Sequence, residues 1–123
     1  MSRTDRAVRR ASHHLASGEA LIASALGLEV DGRRRQVVLL TDRRVLLVGL
    51  RAEAPTALSR DGCAADYDTV GGLLTVWQGD QRFEVRDIEE GAAARLITFL
   101  RRHRSTLVGR DKRSLRHVRL LQD

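Results

Sequence analysis

Two apolar runs separated by only two residues constrain the fold of this 123-residue chain more than any other feature. The runs are V-V-L-L within Gln36–Thr41 and V-L-L-V within Arg44–Gly49, and Asp42 and Arg43 stand between them. Runs of this kind with so short a break, opening on Asp, are typical of a tight β-hairpin. Because both runs are apolar at nearly every position, we expect both faces of the hairpin to be covered, or helices to pack across its outside.

Shorter strand-like segments stand on both sides of this hairpin, with Gly, Pro or Asp turn signals between most of them. In the last predicted hairpin, we expect Trp77 and Phe83 to face the interior. Seven short strands in sequence predict an antiparallel sandwich or a small barrel, in a mainly β member of the α+β class. The five segments besides the central hairpin are Ala20–Leu26, Thr56–Ser59, Cys63–Val70, Leu73–Trp77 and Arg82–Arg86.

A helix is predicted at each end of this β-rich region. An apolar face at three- and four-residue spacing predicts the first over Thr4–Leu15, with its first residue as N-cap and Gly18 as its stop. A longer apolar stripe predicts the second over Ile88–Thr106. Asp87 lies just before that stripe and Glu90 lies three residues later, which is the spacing of a capping box. We expect the second helix to cover one open face of the sheet.

Charge is unevenly distributed along the chain, which has 22 basic and 16 acidic residues. Residues 20–100 hold ten basic and twelve acidic residues, so the excess lies in the two ends. We therefore expect a single domain, made of an N-terminal helix (1–18), a barrel with its capping helix (19–106) and a basic extension (107–123). No apolar run approaches eighteen residues and no secretory leader is visible, which favours a cytoplasmic protein.

The order of several short motifs resembles that of small bacterial pleckstrin-homology-like domains. The residues that carry the resemblance are Gly18-Glu19 before the first strand and Thr41–Arg44 in the hairpin turn, and the run G-G-L-L-T-V at Gly71–Val76 follows in the same order. It covers roughly Ala16 to Arg104. It implies a barrel of two bent sheets with one end plugged by the C-terminal helix. It also implies a binding or oligomerisation module, although a fold does not transmit a ligand.

A run of three arginines, Arg33, Arg34 and Arg35, is predicted at the start of the second strand. Eukaryotic phosphoinositide binders of the resembling fold carry basic residues there and a lysine near the end of strand one. The first strand here has no basic residue, so half of that pattern is present. The three guanidinium groups could bind phosphate on a lipid, a nucleic acid or a nucleotide. The alternative is a solvated charge run beside a strand.

A second basic group lies in the last fourteen residues, where apolar residues recur every third position. This pattern favours a short amphipathic helix that could rest on an anionic membrane or contact nucleic-acid phosphates. The candidate contact residues are Lys112, Arg113, Arg116 and Arg119.

No pattern indicates an enzyme, a cofactor or a metal site. The four histidines and Cys63 lack metal-ligand spacing, and no phosphate-binding or nucleophile motif is present. In the predicted turn, Asp42, Arg43 and Arg44 are interpreted as structural, with Asp42 bonding backbone amides and an arginine pairing with a carboxylate.

The leading functional hypothesis is a non-enzymatic module that binds a protein partner, or itself, through exposed strand edges or helices. One alternative is peripheral binding to an anionic membrane through Arg33–Arg35 and the basic tail. Another is non-specific nucleic-acid binding by that tail.

Overall fold

A computed structural model describes residues 2–49 and 54–108 of the chain, with the backbone alone for residues 103–108. The described part confirms the predicted fold class, with a helix at each end of a seven-stranded antiparallel sheet. The elements are α1 (Arg3–Ala11), β1 (Leu21–Glu29), β2 (Arg35–Thr41), β3 (Arg44–Gly49), β4 (Thr56–Ser59), β5 (Ala64–Asp68), β6 (Leu73–Gln78), β7 (Gln81–Arg86) and α2 (Glu90–Val108).

The strands form one sheet in the order β4-β3-β2-β1-β7-β6-β5, and it is barrel-like without being closed. β1 joins its two halves: it pairs with β2 along almost its whole length, but with β7 only through Leu28 and Glu29. A side chain at the end of β6 connects this strand to β4 and to the segment between β4 and β5. Gln78 accepts from the Ser59 amide at 3.0 Å and donates to the Asp61 carbonyl at 2.7 Å.

Both faces of the β2–β3 hairpin are covered, as its continuous apolarity predicts. Successive residues of a strand point to opposite faces, so alternate side chains enter two separate apolar clusters. The main cluster lies beneath α2 and includes Val38, Leu40 and Val45. Burial of each such side chain contributes about 1.5–3 kcal/mol. The second cluster lies beneath Ala7 and Ala11 of α1 and contains Val37, Leu39, Leu46 and Val48.

The N-terminal helix is held by a cap that lies two residues before the predicted one. Ser2 Oγ accepts from the Asp5 amide at 3.0 Å, and the Asp5 carboxylate accepts from the Ser2 amide, which completes a capping box. A nine-residue helix is marginal on its own. This cap and the buried alanine face therefore fix both its start and its rotation about the axis.

The first strand continues three residues beyond its predicted end at Leu26, because Gly27 is a strand residue and not part of a turn. A Cβ at this position would lie 2.6 Å from the Arg86 carbonyl oxygen and 2.6 Å from Ile88 Cδ1. Gly27 is therefore required by the close approach of the chain where it leaves β7.

The predicted capping box of the second helix is wrong, since α2 begins at Glu90 itself. Asp87 has a φ of 60° and is part of a turn. Its amide donates to the Gly71 carbonyl at 2.9 Å, and the next amide, of Ile88, donates to Gly72 at 2.9 Å. These two bonds hold the chain against the segment before β6, so the helix starts later than the spacing suggests.

The last hairpin places its two aromatic side chains on different faces. Phe83 pairs with Val76 and is buried in the main cluster, as predicted. Trp77 pairs with Arg82, so it lies on the opposite face, where it is half-buried. The prediction for Trp77 is therefore wrong by one position of the strand alternation. β5 is also shorter than predicted and ends at Asp68.

Candidate functional site

A buried carboxylate, Glu19, ties the segment after α1 to the β2–β3 hairpin. Its oxygens accept from Arg44 Nε at 2.8 Å and Arg44 Nη2 at 2.9 Å, and from Thr41 Oγ1 at 2.6 Å. The Ala16 amide donates to the same carboxylate at 2.8 Å. Arg44 Nη2 also donates to the His14 carbonyl at 3.1 Å. We call the set Glu19, Thr41 and Arg44 the Glu19 latch.

The surroundings of Glu19 keep its carboxylate ionised. The hydrogen bond from Arg44 lowers the pKa of Glu19 from 4.5 to about 2, and it outweighs burial, which acts in the other direction. The same bond raises the pKa of Arg44. A carboxylate with four donors and no proton to exchange near neutral pH does not act as a general acid or base. The latch is a structural connection.

The residues that carry the family resemblance are largely those of this latch. Gly18 has a φ of 80° in a turn where the Glu19 amide donates to the Ala16 carbonyl at 3.1 Å. Gly18 thus orients Glu19 inward and does not stop α1, which ends at Ala11. In the hairpin turn, Asp42 Oδ1 accepts from the Ala20 amide at 2.9 Å, while Arg43 is exposed.

A buried cation, Arg60, was not singled out by the sequence. It is 5% exposed, and its Nη1 and Nη2 donate to the Thr41 and Phe99 carbonyls at 3.0 and 2.9 Å. It therefore links the end of β2 to α2. Burial lowers the pKa of Arg60, and its buried Nε has no hydrogen-bond partner among the described residues. A lone arginine after a short strand gives no signal that would reveal this role.

A groove of about 640 Å³ runs between α1 and α2, with β1 as its floor. Five consecutive residues of β1, Ile22–Leu26, line it. A strand that presented only one face would contribute every second residue, so this lining indicates that the strand lies edge-on in the groove. The pairing pattern agrees: before Leu28, β1 has no pairing with β7.

The walls of this groove carry balanced charge. α1 contributes Asp5 and Arg9, and the α2 side contributes Glu89 and Arg95. The middle of the floor is formed by small residues: Ala23 and Ser24 are half-buried, and Ala25 is buried. The groove therefore offers main-chain hydrogen-bonding groups and modest apolar area, without net attraction for either sign of charge.

The other side of α1 faces a depression of about 390 Å³ whose described lining is four arginines and one alanine. Arg35 is thus brought beside α1, whereas Arg33 and Arg34, both exposed, do not line this depression. The spacing of the helical arginines at i, i+3 and i+7 was the available signal for the residues that sequence reasoning missed. We call the set Arg3, Arg6, Arg10 and Arg35 the arginine cluster.

The remaining predicted residues form no site in the described part of the chain. Lys112, Arg113, Arg116 and Arg119 lie outside the described residues. Among residues 2–49 and 54–108, no three histidine, cysteine or acidic side chains are close enough together to hold a metal ion. Within the same ranges, no helix is both long and apolar enough to cross a bilayer.

Comparison with known proteins does not add a relative. No protein-family model matches the sequence, and no curated protein matches it either. The pleckstrin-homology-like resemblance therefore stays a prediction that accords with the architecture.

Proposed function

We propose that this chain is a non-enzymatic, cytoplasmic, pleckstrin-homology-like module that captures an extended segment of a partner protein along the open edge of β1. The observation that supports it is the edge-on lining of the groove by Ile22–Leu26. An extended segment added there would continue the sheet beyond the point where β7 leaves it.

The backbone of this edge provides the affinity. Five residues span about 17 Å, which is the length of an ordinary strand. Every second residue directs its N–H and C=O groups away from β2, and β7 does not pair with these residues. A partner strand would satisfy these groups with main-chain bonds that do not depend on its sequence.

The floor and walls of the groove restrict the side chains of the partner. Ala23, Ser24 and Ala25 offer little apolar surface to large anchors, and the walls hold two acidic and two basic residues. We therefore propose a segment with small, mostly uncharged side chains as the occupant. Its orientation would be set by Asp5 and Arg9 on one wall, and by Glu89 and Arg95 on the other.

A random-peptide display selection against the full chain tests this proposal. Enriched peptides are expected to be extended, poor in charge, and to protect backbone amides within Ile22–Leu26 from hydrogen exchange. The variant Ser24→Trp fills the groove floor and should reduce their affinity at least tenfold. The matched control is Thr75→Trp, which is also half-buried but lies on β6, and it should leave affinity unchanged.

Two outcomes would overturn the proposal. One is that selected peptides protect no amide of β1, or bind Ser24→Trp as well as the original chain. The other is that light scattering shows concentration-dependent dimers of the full chain that Ser24→Trp abolishes. In that case the occupant is β1 of a second copy, and the module serves self-assembly.

A further inference from the structure

The arginine cluster is a positive surface whose residues come from two separate elements. Arg3, Arg6 and Arg10 lie along one side of α1, and Arg35 opens β2. Arg3 and Arg10 are seven residues apart, which is about 10 Å along a helix axis. The three helical guanidinium groups therefore lie within reach of one another, and Arg35 adds a fourth from the sheet.

The position of the cluster is fixed by the packing of α1 and does not depend on the arginines. Ala7 and Ala11 are buried against the second apolar cluster, and the Ser2 cap defines the first turn. Because the alanine face of α1 packs on the sheet, the side of α1 that carries Arg3, Arg6 and Arg10 has one orientation. The backbone positions that carry the arginines are therefore fixed before a ligand binds, and only the exposed side chains lose conformational freedom on binding.

In the described part of the chain, no carboxylate forms an ion pair with these arginines. None of the described residues that line the depression is acidic, and no ion pair with a described residue involves its four arginines. The groove on the other side of α1, by contrast, balances Arg9 and Arg95 with Asp5 and Glu89. Four like charges brought together without a counterion repel one another, so an anion bound between them relieves that repulsion.

We propose that the arginine cluster binds a phosphate-bearing anion with at least two negative charges, such as a polyphosphate or a phosphorylated headgroup. Guanidinium forks bind phosphate oxygens in pairs, and the depression, at about 390 Å³, has the size of a small-ligand site. The site is independent of the β1 groove and of the protein-binding function proposed above.

A compact anion fits the surface better than a nucleic acid does. Proteins that hold a duplex contact about six to ten phosphates along a basic stripe. Residues 20–100 instead carry twelve acidic and ten basic residues, which gives them a net negative charge. The arginine cluster is a local concentration of four basic side chains, and such a concentration matches one compact polyanionic group.

Calorimetric titration of the full chain with inorganic triphosphate tests the site, and flotation with phosphatidic acid vesicles tests the lipid source of the same chemistry. The variant Arg6→Gln/Arg10→Gln should weaken whichever binding is observed at least tenfold. The matched control is Arg43→Gln/Arg101→Gln, which removes the same charge from exposed positions outside the cluster. It should change affinity less than twofold.

Saturable binding of triphosphate with this difference between the variants supports a soluble ligand, and the same difference with vesicles alone supports a lipid headgroup. Absence of binding in both arms overturns the proposal. So does equal weakening by the two double variants, which would indicate only general attraction. Tighter binding of duplex DNA, lost in Arg6→Gln/Arg10→Gln, would overturn it in favour of a nucleic-acid surface.

Discussion

The Glu19 latch and the arginine cluster place arginine side chains in opposite environments. In the Glu19 latch, Arg44 donates two hydrogen bonds to a fully buried carboxylate, so its charge has a partner within the fold. In the arginine cluster, four exposed side chains share a depression without a counterion among the described residues. The difference is one of partners and burial, and it separates residues that hold the fold from residues that are available for binding.

The difference also explains where the recognisable motifs lie. Gly18-Glu19 and Thr41–Arg44 are conspicuous in the sequence because a buried ion pair, its turn and its hydroxyl donor each demand a specific residue. The arginine cluster needs only positive charge at a helical spacing. The motifs of the Glu19 latch therefore mark structure, while the arginine cluster shows in the sequence only as the run that ends at Arg35 and as a helical spacing of arginines.

The strongest test of the structural role of the Glu19 latch is to remove the charge of its carboxylate. Glu19→Gln leaves Arg44 without its charge partner and should lower the free energy of unfolding by about 3 kcal/mol, measured in urea. Glu84→Gln is the control, because the Arg82–Glu84 pair is exposed and should contribute less than about 1 kcal/mol. Equal effects of the two variants would contradict the structural role of the latch.

Acid titration should show the same contribution of ionised Glu19 to the free energy of unfolding, without a large change in packing. The folded pKa of Glu19 is about 2 and its ordinary value is 4.5, so the stabilisation is complete above pH 4.5 and is lost as pH falls toward 2. That interval corresponds to about 3 kcal/mol. The gap in unfolding free energy between the original chain and Glu19→Gln should therefore close over this range. A gap that stays constant from pH 6 to pH 2.5 would show that ionised Glu19 is not its source.

Replacing the buried Arg60 should have an intermediate effect. Arg60→Met removes the donors to the Thr41 and Phe99 carbonyls but also removes an unpartnered Nε, so we expect a loss of about 2 kcal/mol. Thermal and urea unfolding measure it, with the exposed Arg82→Met as control. If Arg60→Met were as stable as that control, the hydrogen bonds of Arg60 between β2 and α2 would contribute nothing to the free energy of unfolding.

The arginine cluster should show the smallest effect on stability. Arg6→Gln/Arg10→Gln removes like-charge repulsion from exposed positions, so the free energy of unfolding should stay within about 0.5 kcal/mol, with any gain larger at low salt. Urea titrations at low and high ionic strength measure this. A loss above about 1 kcal/mol would place these side chains among the residues that hold α1.

Much of the fold follows from local pattern. The bounds of β3 and β4 are predicted to the residue, and the continuous apolarity of β2 and β3 predicts cover on both faces. The errors arise where a distant segment decides the conformation. Gly27 stays in β1 because the end of β7 passes close to it, and Asp87 is held by Gly71, so neither position has a local explanation.

The candidate sites were less predictable for the same reason. Arg35 was singled out from the sequence, but its neighbours in the cluster are on a helix about thirty residues away, and only the docking of α1 joins them. The β1 groove depends on β7 leaving the sheet after two paired residues, which the pattern of a single strand does not contain. Both surfaces are products of tertiary arrangement.

Titration of triphosphate into the Glu19→Gln and Arg6→Gln/Arg10→Gln variants, each at a temperature where it is fully folded, tests the division between structure and binding most directly. We predict that Glu19→Gln, although less stable, binds triphosphate with the affinity of the original chain. We predict that Arg6→Gln/Arg10→Gln, although equally stable, binds it at least tenfold more weakly. The reverse pattern, or equal losses in both variants, would contradict the separation of the two groups of arginines.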